Sequence, residues 1–203
     1  MALDKPAVTS KPVHDLIRNR WSPRSFDSSR PVSPDTLTAL LEAARWAASS
    51  NNAQPWRFIV ATRDNAAEHA KALGCFNVRN QRWAKTAPVL IIVCTRKAFE
   101  ANNNPNVHAW YDAGAAMAQL SLQATALGLR LHQAAGIERD KARAAYGVPE
   151  EFDVCAGIGL GYQGDPDALP EELPGREREP RARKALGEIV FAGTFGAAAK
   201  LGG

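Results

Sequence analysis

Two arginines and a serine near the N-terminus could bind an anion. Residues 20–26 read Arg-Trp-Ser-Pro-Arg-Ser-Phe, so the guanidiniums of Arg20 and Arg24 lie four positions apart with the Ser22 hydroxyl between them. Arginine offers planar, permanently charged donors, and each charge-assisted hydrogen bond contributes about 1.5–3 kcal/mol. The spacing therefore suits a phosphate group, and a solvated basic loop is the alternative interpretation.

A polar elbow at residues 49–54 could contact a ligand through neutral groups. Its sequence is Ser-Ser-Asn-Asn-Ala-Gln, in which short side chains carry hydrogen-bond donors and acceptors. Burying such groups without partners is costly, so the elbow is either solvated or pressed against a polar ligand.

Regular elements on both sides must hold this elbow in place. Ser33-Pro34-Asp35 has an N-cap residue, a proline in the first turn and an early acid, which predict the start of a helix. The β-prone run 56–62 predicts a strand, and the continuous apolar run 88–94 predicts a strand buried on both faces. Further helices are predicted over residues 12–20, 64–73, 76–85, 107–127 and 137–146, and further strands over 129–136, 152–162 and 185–191, with a linker over 165–174.

The predicted helix 107–127 is rich in alanine and glycine, with Asp112, Gln119 and Gln123 at helical spacing. A helix that is apolar on most sides and carries one narrow polar stripe is buried in a large core or in a subunit interface. Small residues also allow close approach of another helix. The sequence leaves both locations open.

The strand 152–162 contains Gly157-Ile-Gly-Leu-Gly161, which superficially suggests a dinucleotide-binding loop. Such a loop needs the spacing G-x-G-x-x-G and must lead into a helix, whereas here a turn follows at residues 163–166. A Rossmann site is therefore not predicted. The histidines and cysteines show no metal-ligand spacing, and no metal site is expected.

The 203 residues, 45% hydrophobic and 23% charged, predict one globular domain over residues 1–203, with a loose tail at 192–203. The net charge is +4, but basic and acidic residues are interleaved, which argues against nucleic-acid binding. No apolar signal core and no run of twenty apolar residues is present. We therefore expect a cytoplasmic protein without a membrane segment.

Four segments, in this order, resemble the flavin-dependent nitroreductase family. They are Arg-x-Ser-x-Arg-x-Phe at 20–26, the elbow and its flanks at 44–58 with Ser-Ser-x-Asn-x-Gln-Pro-Trp, the segment 76–94, and the segment 130–191 with its Arg-x-Arg. The resemblance implies an α+β fold with a mixed, mostly antiparallel sheet flanked by helices. It also implies an intertwined homodimer with FMN at the subunit interface.

The resemblance also implies roles for individual residues. Arg20, Ser22 and Arg183 would hold the FMN phosphate, and Arg24 would stabilise the anionic reduced flavin electrostatically. The elbow would reach the flavin of the partner chain, Asn80 would contact the flavin ring, and the backbone at Ala135-Gly136 would approach its N5 and C4 edge. No side chain is expected to act as a nucleophile or general base. The candidate cofactor-binding residues are Arg20, Trp21, Ser22, Arg24, Ser49, Ser50, Asn52, Gln54, Asn80, Ala135, Gly136, Arg181 and Arg183.

The activity implied is transfer of a hydride from NADH or NADPH through flavin N5 to a nitroaromatic, a quinone or a similar small acceptor. Dehalogenation, flavin fragmentation and dehydrogenation on the same fold are alternatives, as is a flavin-binding protein without turnover. Trp83 stands where some family members have a lysine. It would either cover an apolar substrate or belong to the core, and together with residues 99–108 it would influence the choice of substrate.

Overall fold

Four antiparallel strands form the centre of the fold in the computed structural model, which describes residues 3–200. The sheet order is β1-β2-β4-β3, and every pair of neighbouring strands in this sheet is antiparallel. With helices packed on both faces, the arrangement confirms the predicted α+β class. The strands are β1 (Trp56–Thr62), β2 (Val89–Arg96), β3 (Arg130–Ala134) and β4 (Phe152–Gly161).

The helices confirm most of the predicted ones. Each begins one to three residues later than predicted, and their ends agree with the prediction to within one residue. Ser33 caps the second helix as expected, because its hydroxyl accepts a hydrogen bond from the backbone N–H of Thr36 at 3.2 Å. No helix in the described part of the chain is long and apolar enough to cross a membrane. The helices are α1 (Asp15–Asn19), α2 (Pro34–Arg45), α3 (Ala66–Gly74), α4 (Val78–Ala84), α5 (Ala109–Ala126), α6 (Arg139–Tyr146) and α7 (Leu173–Arg178), of which the sequence did not predict α7.

Strand β2 lies at the middle of the core, as its continuous apolar sequence predicts. Alternate side chains point to opposite faces of the sheet. Val89, Ile91 and Val93 pack against α2 and α5, whereas Leu90 and Ile92 pack toward α3, α4 and α6. The two helical layers are therefore held together by one buried strand.

Helix α5 is both a core helix and a surface helix. Ala113, Ala116 and Leu120 are buried against the sheet, whereas Tyr111 is 80% exposed on the opposite side. The residues of the predicted polar stripe differ in burial, because Asp112 is buried while Gln119 is exposed. The exposed side of α5 is therefore largely apolar.

The prediction of a last strand over residues 185–191 is wrong. Leu186–Glu188 forms a 3-10 turn, and the Glu188 carboxylate accepts a hydrogen bond from the backbone N–H of Ala185 at 2.8 Å. Beyond the turn, as far as residue 200, the described chain has one isolated antiparallel bridge, between Phe191 and Ala198. Local hydrogen bonds therefore satisfy this backbone without a neighbouring strand. Residues 201–203 of the predicted loose tail lie outside the described residues.

Candidate functional site

The residues predicted to hold a phosphate converge on one cavity of about 270 Å³. The loop that follows α1 forms one wall, and the segment after α7 forms the facing wall, although more than 150 residues separate the two in the chain. The cavity is lined by six of the predicted residues, namely Arg20, Trp21, Ser22, Arg24, Arg181 and Arg183.

Lys5 and Arg176 also line the cavity, so that it has six cationic side chains in all. Burial lowers the pKa of Arg20, and the nearby charges of Arg181 and Arg183 lower it further. Cations placed so close together repel one another unless an anion lies between them. The cavity is therefore suited to a multiply charged anion such as a phosphate monoester.

One buried carboxylate lies beside these cationic side chains. Glu177 is only 1% exposed, and its carboxylate accepts hydrogen bonds from the backbone N–H groups of Arg24 at 2.8 Å and Ser25 at 3.1 Å. Its Oε2 atom lies 3.8 Å from the Arg24 guanidinium. Glu177 thereby fixes the backbone that presents Arg24 to the cavity.

The N-terminal segment closes the cavity from a third side. Lys5 Nζ donates to the Glu177 carbonyl oxygen at 2.6 Å, and the Arg181 guanidinium donates to the Lys5 carbonyl oxygen at 2.6 Å. The same guanidinium donates to the Arg18 carbonyl oxygen at 2.9 Å. The sequence did not predict the roles of Lys5 and Glu177. No motif around either residue indicates which distant segment it contacts.

Asn80 and Gly136 form a second group of predicted residues, away from the cationic cavity. Asn80 Nδ2 donates to the Gly136 carbonyl oxygen at 3.0 Å. A Cβ atom on Gly136 would lie 2.3 Å from Asn77 Nδ2 and 2.4 Å from Asn80 Nδ2, so a larger residue there would displace both amides. Ala135 is exposed beside it. The backbone of Ala135 and Gly136 therefore lies next to the Asn80 amide, which is held by a hydrogen bond.

Trp83 is a core residue, 1% exposed, and does not form an open substrate wall. Its ring lies against β4 in space that Gly159 leaves free, since a Cβ atom there would be 2.7 Å from Trp83 Cζ3. Gly157 makes room for Phe76 in the same way, at 2.6 Å. The glycines of β4 thus leave room for large aromatic side chains. This packing explains the glycine-rich sequence, which does not have the spacing of a Rossmann loop.

The polar elbow lies apart from the cationic cavity and contributes no residue to it. Three of its non-glycine residues have positive φ, with values of 51° at Asn51, 53° at Asn52 and 45° at Gln54. This backbone is held by the Asp112 carboxylate, which accepts a hydrogen bond from the Ser50 N–H at 3.0 Å. Such a strained and exposed turn marks a candidate contact surface.

The internal hydrogen bonds of the elbow leave most of its polar side chains facing solvent. The Ser49 hydroxyl accepts from the Gln54 N–H at 3.0 Å, and Gln54 Nε2 donates to the Asn52 carbonyl oxygen at 3.1 Å. Asn52 and Gln54 are exposed. Within one chain, therefore, the elbow and the arginines do not line the same cavity.

A second cavity, of about 500 Å³, was not anticipated from the sequence. It lies between the first turns of α4 and α6, and Asn77 connects it to the Gly136 turn. Its lining mixes charges of both signs with amide groups, so it lacks the strong excess of cations that the first cavity has. The lining residues are Phe76, Asn77, Val78, Gln81, Glu138, Arg139, Asp140 and Lys141.

Comparisons with known proteins agree on one family. The model of the nitroreductase family matches residues 17–162. An uncharacterized 15.4 kDa protein of Mycolicibacterium smegmatis is 35% identical over 146 residues, which are 69% of this chain and 97% of that protein. The major NAD(P)H-flavin oxidoreductase of Aliivibrio fischeri is 48% identical over 59 residues, 29% of this chain, and the match spans only 27% of that enzyme's length.

A solved structure supports the same assignment over almost the whole chain. The crystal structure described as an oxidoreductase containing FMN superposes with a TM-score of 0.89 at 35% identity. The superposition covers 97% of this chain and 100% of the other. Since the family match also extends over well more than half of the residues, this chain belongs to the nitroreductase family.

Proposed function

We propose that this protein is an FMN-dependent oxidoreductase that uses NADH or NADPH to reduce a nitroaromatic, a quinone or a similar small acceptor. The observation that carries the proposal is the convergence of Arg20, Ser22, Arg24 and Arg183 on one cationic cavity. Membership of the nitroreductase family and likeness to an FMN-containing oxidoreductase support it. When bound, FMN would supply the hydride chemistry through its N5 atom.

The donor set of the cavity fits the phosphate of FMN. A phosphate monoester at neutral pH carries nearly two negative charges, and arginine binds it through paired N–H groups. Arg20, Arg183 and the Ser22 hydroxyl would hold the phosphate. Arg20 Nη1 already donates to Ser22 Oγ at 3.2 Å, so these two groups are oriented together.

Arg24 and the Asn80–Gly136 pair would bind the flavin ring. Arg24 would place a fixed positive charge near N1 and O2, where negative charge accumulates on reduction, and such a preorganised charge needs little rearrangement. Gly136 has no side chain to obstruct an approaching ring edge, and its backbone is held by the Asn80 amide. None of these residues would transfer a proton as a general base.

We infer that two copies form a homodimer and that the elbow of one copy completes the FMN site of the other. The exposed side of α5 supports this, because Tyr111 is 80% exposed and Ala118 is also exposed on the helix. Val107, which lies just before the helix, is 84% exposed as well. The elbow is anchored to this helix through Asp112. Burial of the exposed side of α5 against a second copy would therefore also position the elbow against that copy.

The visible spectrum of the purified protein under anaerobic conditions tests the proposal. We expect a bound flavin whose absorbance is lost on addition of NADPH or NADH and returns with a nitroaromatic or a quinone. A flavin that stays oxidised with both nucleotides would contradict the reductase activity and favour a binding role. A protein that neither contains nor takes up FMN would contradict the cofactor assignment itself.

A further inference from the structure

Trp83 lies between the two groups of predicted cofactor contacts. Its ring centroid is 4.4 Å from that of His132, 6.2 Å from Phe26 and 6.3 Å from Phe76. Aromatic rings at these separations pack favourably and resist rotation. Because Gly159 has no side chain, the Trp83 ring packs directly on β4.

One edge of Trp83 is bonded to the turn at Gly136 through Asn80. Trp83 Nε1 donates to Asn80 Oδ1 at 3.0 Å, while Asn80 Nδ2 donates to the Gly136 carbonyl oxygen at 3.0 Å. Indole N–H is only a donor, so it can be satisfied only by the amide oxygen. The two bonds together determine which way the Asn80 amide faces.

The face of Trp83 connects to the loop at residues 20–24 through His132. The His132 Nδ1 atom lies 3.1 Å from the Ser22 carbonyl oxygen and 3.0 Å from the Pro23 carbonyl oxygen. Since carbonyl oxygens only accept, Nδ1 carries the proton and donates to them. Burial, with the nearby Arg24 charge, lowers the pKa of His132 to about 4, so the ring is neutral near pH 7.

We propose that Trp83 is a positioning residue that holds the Asn80–Gly136 edge and the 20–24 loop at the correct separation for one flavin. The inference rests on the proposed FMN site, whose ring and phosphate would contact these two groups. It concerns a position where this chain has tryptophan and some family members have lysine. A lysine could contact the flavin directly, whereas the buried Trp83 acts through Asn80 and His132.

The substitution Trp83→Phe tests the proposal because it retains an aromatic ring and removes only the indole N–H and some volume. FMN affinity is measured by flavin fluorescence on chain stripped of cofactor. Loss of one hydrogen bond that orients a ligand contact predicts about 3- to 10-fold weaker binding. The matched control is Phe76→Leu, which disturbs the same aromatic cluster without touching a hydrogen bond of Trp83, Asn80 or His132.

A double-mutant cycle with Asn80→Ala separates positioning from general packing. If Trp83 acts through the Asn80 amide, Trp83→Phe weakens FMN binding in the wild-type background and has little further effect in Asn80→Ala. Additive effects would overturn the proposal. So would an unchanged affinity in Trp83→Phe, or an equal loss in Phe76→Leu.

Two further measurements keep the test decisive. If the wild-type chain binds no FMN, the proposed function fails. The coupling between Trp83 and Asn80 is then measured by urea unfolding of the protein without cofactor. In that measurement, the effects of Trp83→Phe and Asn80→Ala on the free energy of unfolding must be non-additive. If Trp83→Phe does not fold, Asn80→Ala and His132→Phe replace it. Their effects on FMN affinity are expected to be non-additive, because Trp83 contacts both residues and couples them. Additive effects would overturn the proposal.

Discussion

The buried carboxylate of Glu177 accepts hydrogen bonds from the backbone N–H of Arg24 at 2.8 and 3.0 Å, across 153 positions of the chain. A buried negative charge therefore lies in the wall of a cavity that is lined by six cationic side chains. Its bonds are to backbone groups of the loop and not only to a guanidinium, which identifies its role as fixing the loop. This role can be measured separately from ligand binding.

Replacing Glu177 by alanine should destabilise the fold. The N–H groups of Arg24 and Ser25 would lose a charged acceptor, which we expect to lower the free energy of unfolding by about 2–4 kcal/mol. Urea denaturation measures the change. The control is Glu179→Ala, because Glu179 lines the same cavity but is exposed. Equal small effects for the two variants would contradict the role given to Glu177.

Replacing Arg183 by alanine should weaken binding of FMN and leave binding of riboflavin, which lacks the phosphate, nearly unchanged. Loss of one charge-assisted contact predicts at least a tenfold higher dissociation constant for FMN. Fluorescence titration of both flavins gives the comparison. Arg178→Ala is the matched control, since Arg178 pairs with Asp167 at 2.7 Å outside the cavity. If both flavins weaken equally, Arg183 does not bind the phosphate.

The stability of the protein should depend on His132 between about pH 6.5 and pH 4. Its pKa in the fold is lowered from 6.5 to about 4 by burial and by Arg24. Within this window the unfolded chain binds the proton and the folded chain does not, so the free energy of unfolding falls as the pH falls. The expected contribution is at most about 3 kcal/mol.

Urea unfolding of the wild type and of His132→Asn at pH 7, 6 and 5 measures this dependence. The variant should lose less stability on acidification, because asparagine can still donate to a carbonyl oxygen but does not titrate. Burial also lowers the pKa of His69, and its contribution is the same in both proteins and cancels. Parallel pH profiles would show that His132 does not titrate in this window.

The variant Ala118→Glu should dissociate the proposed homodimer. It places a carboxylate in the exposed apolar side of α5, where burial against a second copy would leave the charge without a partner. Light scattering during size-exclusion chromatography gives the mass of each variant. Ala70→Glu on the exposed side of α3 is the control and should keep the wild-type mass. If Ala118→Glu remains dimeric, the interface lies elsewhere.

The sequence predicted those elements whose signals are local. The continuous apolar run of β2 and the serine cap of α2 determine structure within a few residues, and both were confirmed. The run at residues 185–191 is also apolar, but a strand needs a neighbour, and no sequence pattern shows whether one is available. The local turn at Leu186–Glu188 therefore formed instead.

The candidate site depends on contacts between distant segments, and this limited what could be predicted from the sequence. Only the resemblance to a family connected Arg20 with Arg183, which the structure brings to one cavity. Lys5 and Glu177 belong to no motif, and their bond spans 172 positions of the chain. The roles of the elbow and of Asn80 toward a flavin stay predictions.

The fit between Gly159 and Trp83 restricts how these two positions can change during evolution. A residue larger than glycine at position 159 would overlap the tryptophan ring, since even a Cβ atom would lie 2.7 Å from it. A side chain at position 159 would therefore force the Trp83 ring to move, so we expect the two positions to change together. Among relatives, a large side chain at the position of Gly159 should occur only together with a smaller or more flexible residue at the position of Trp83.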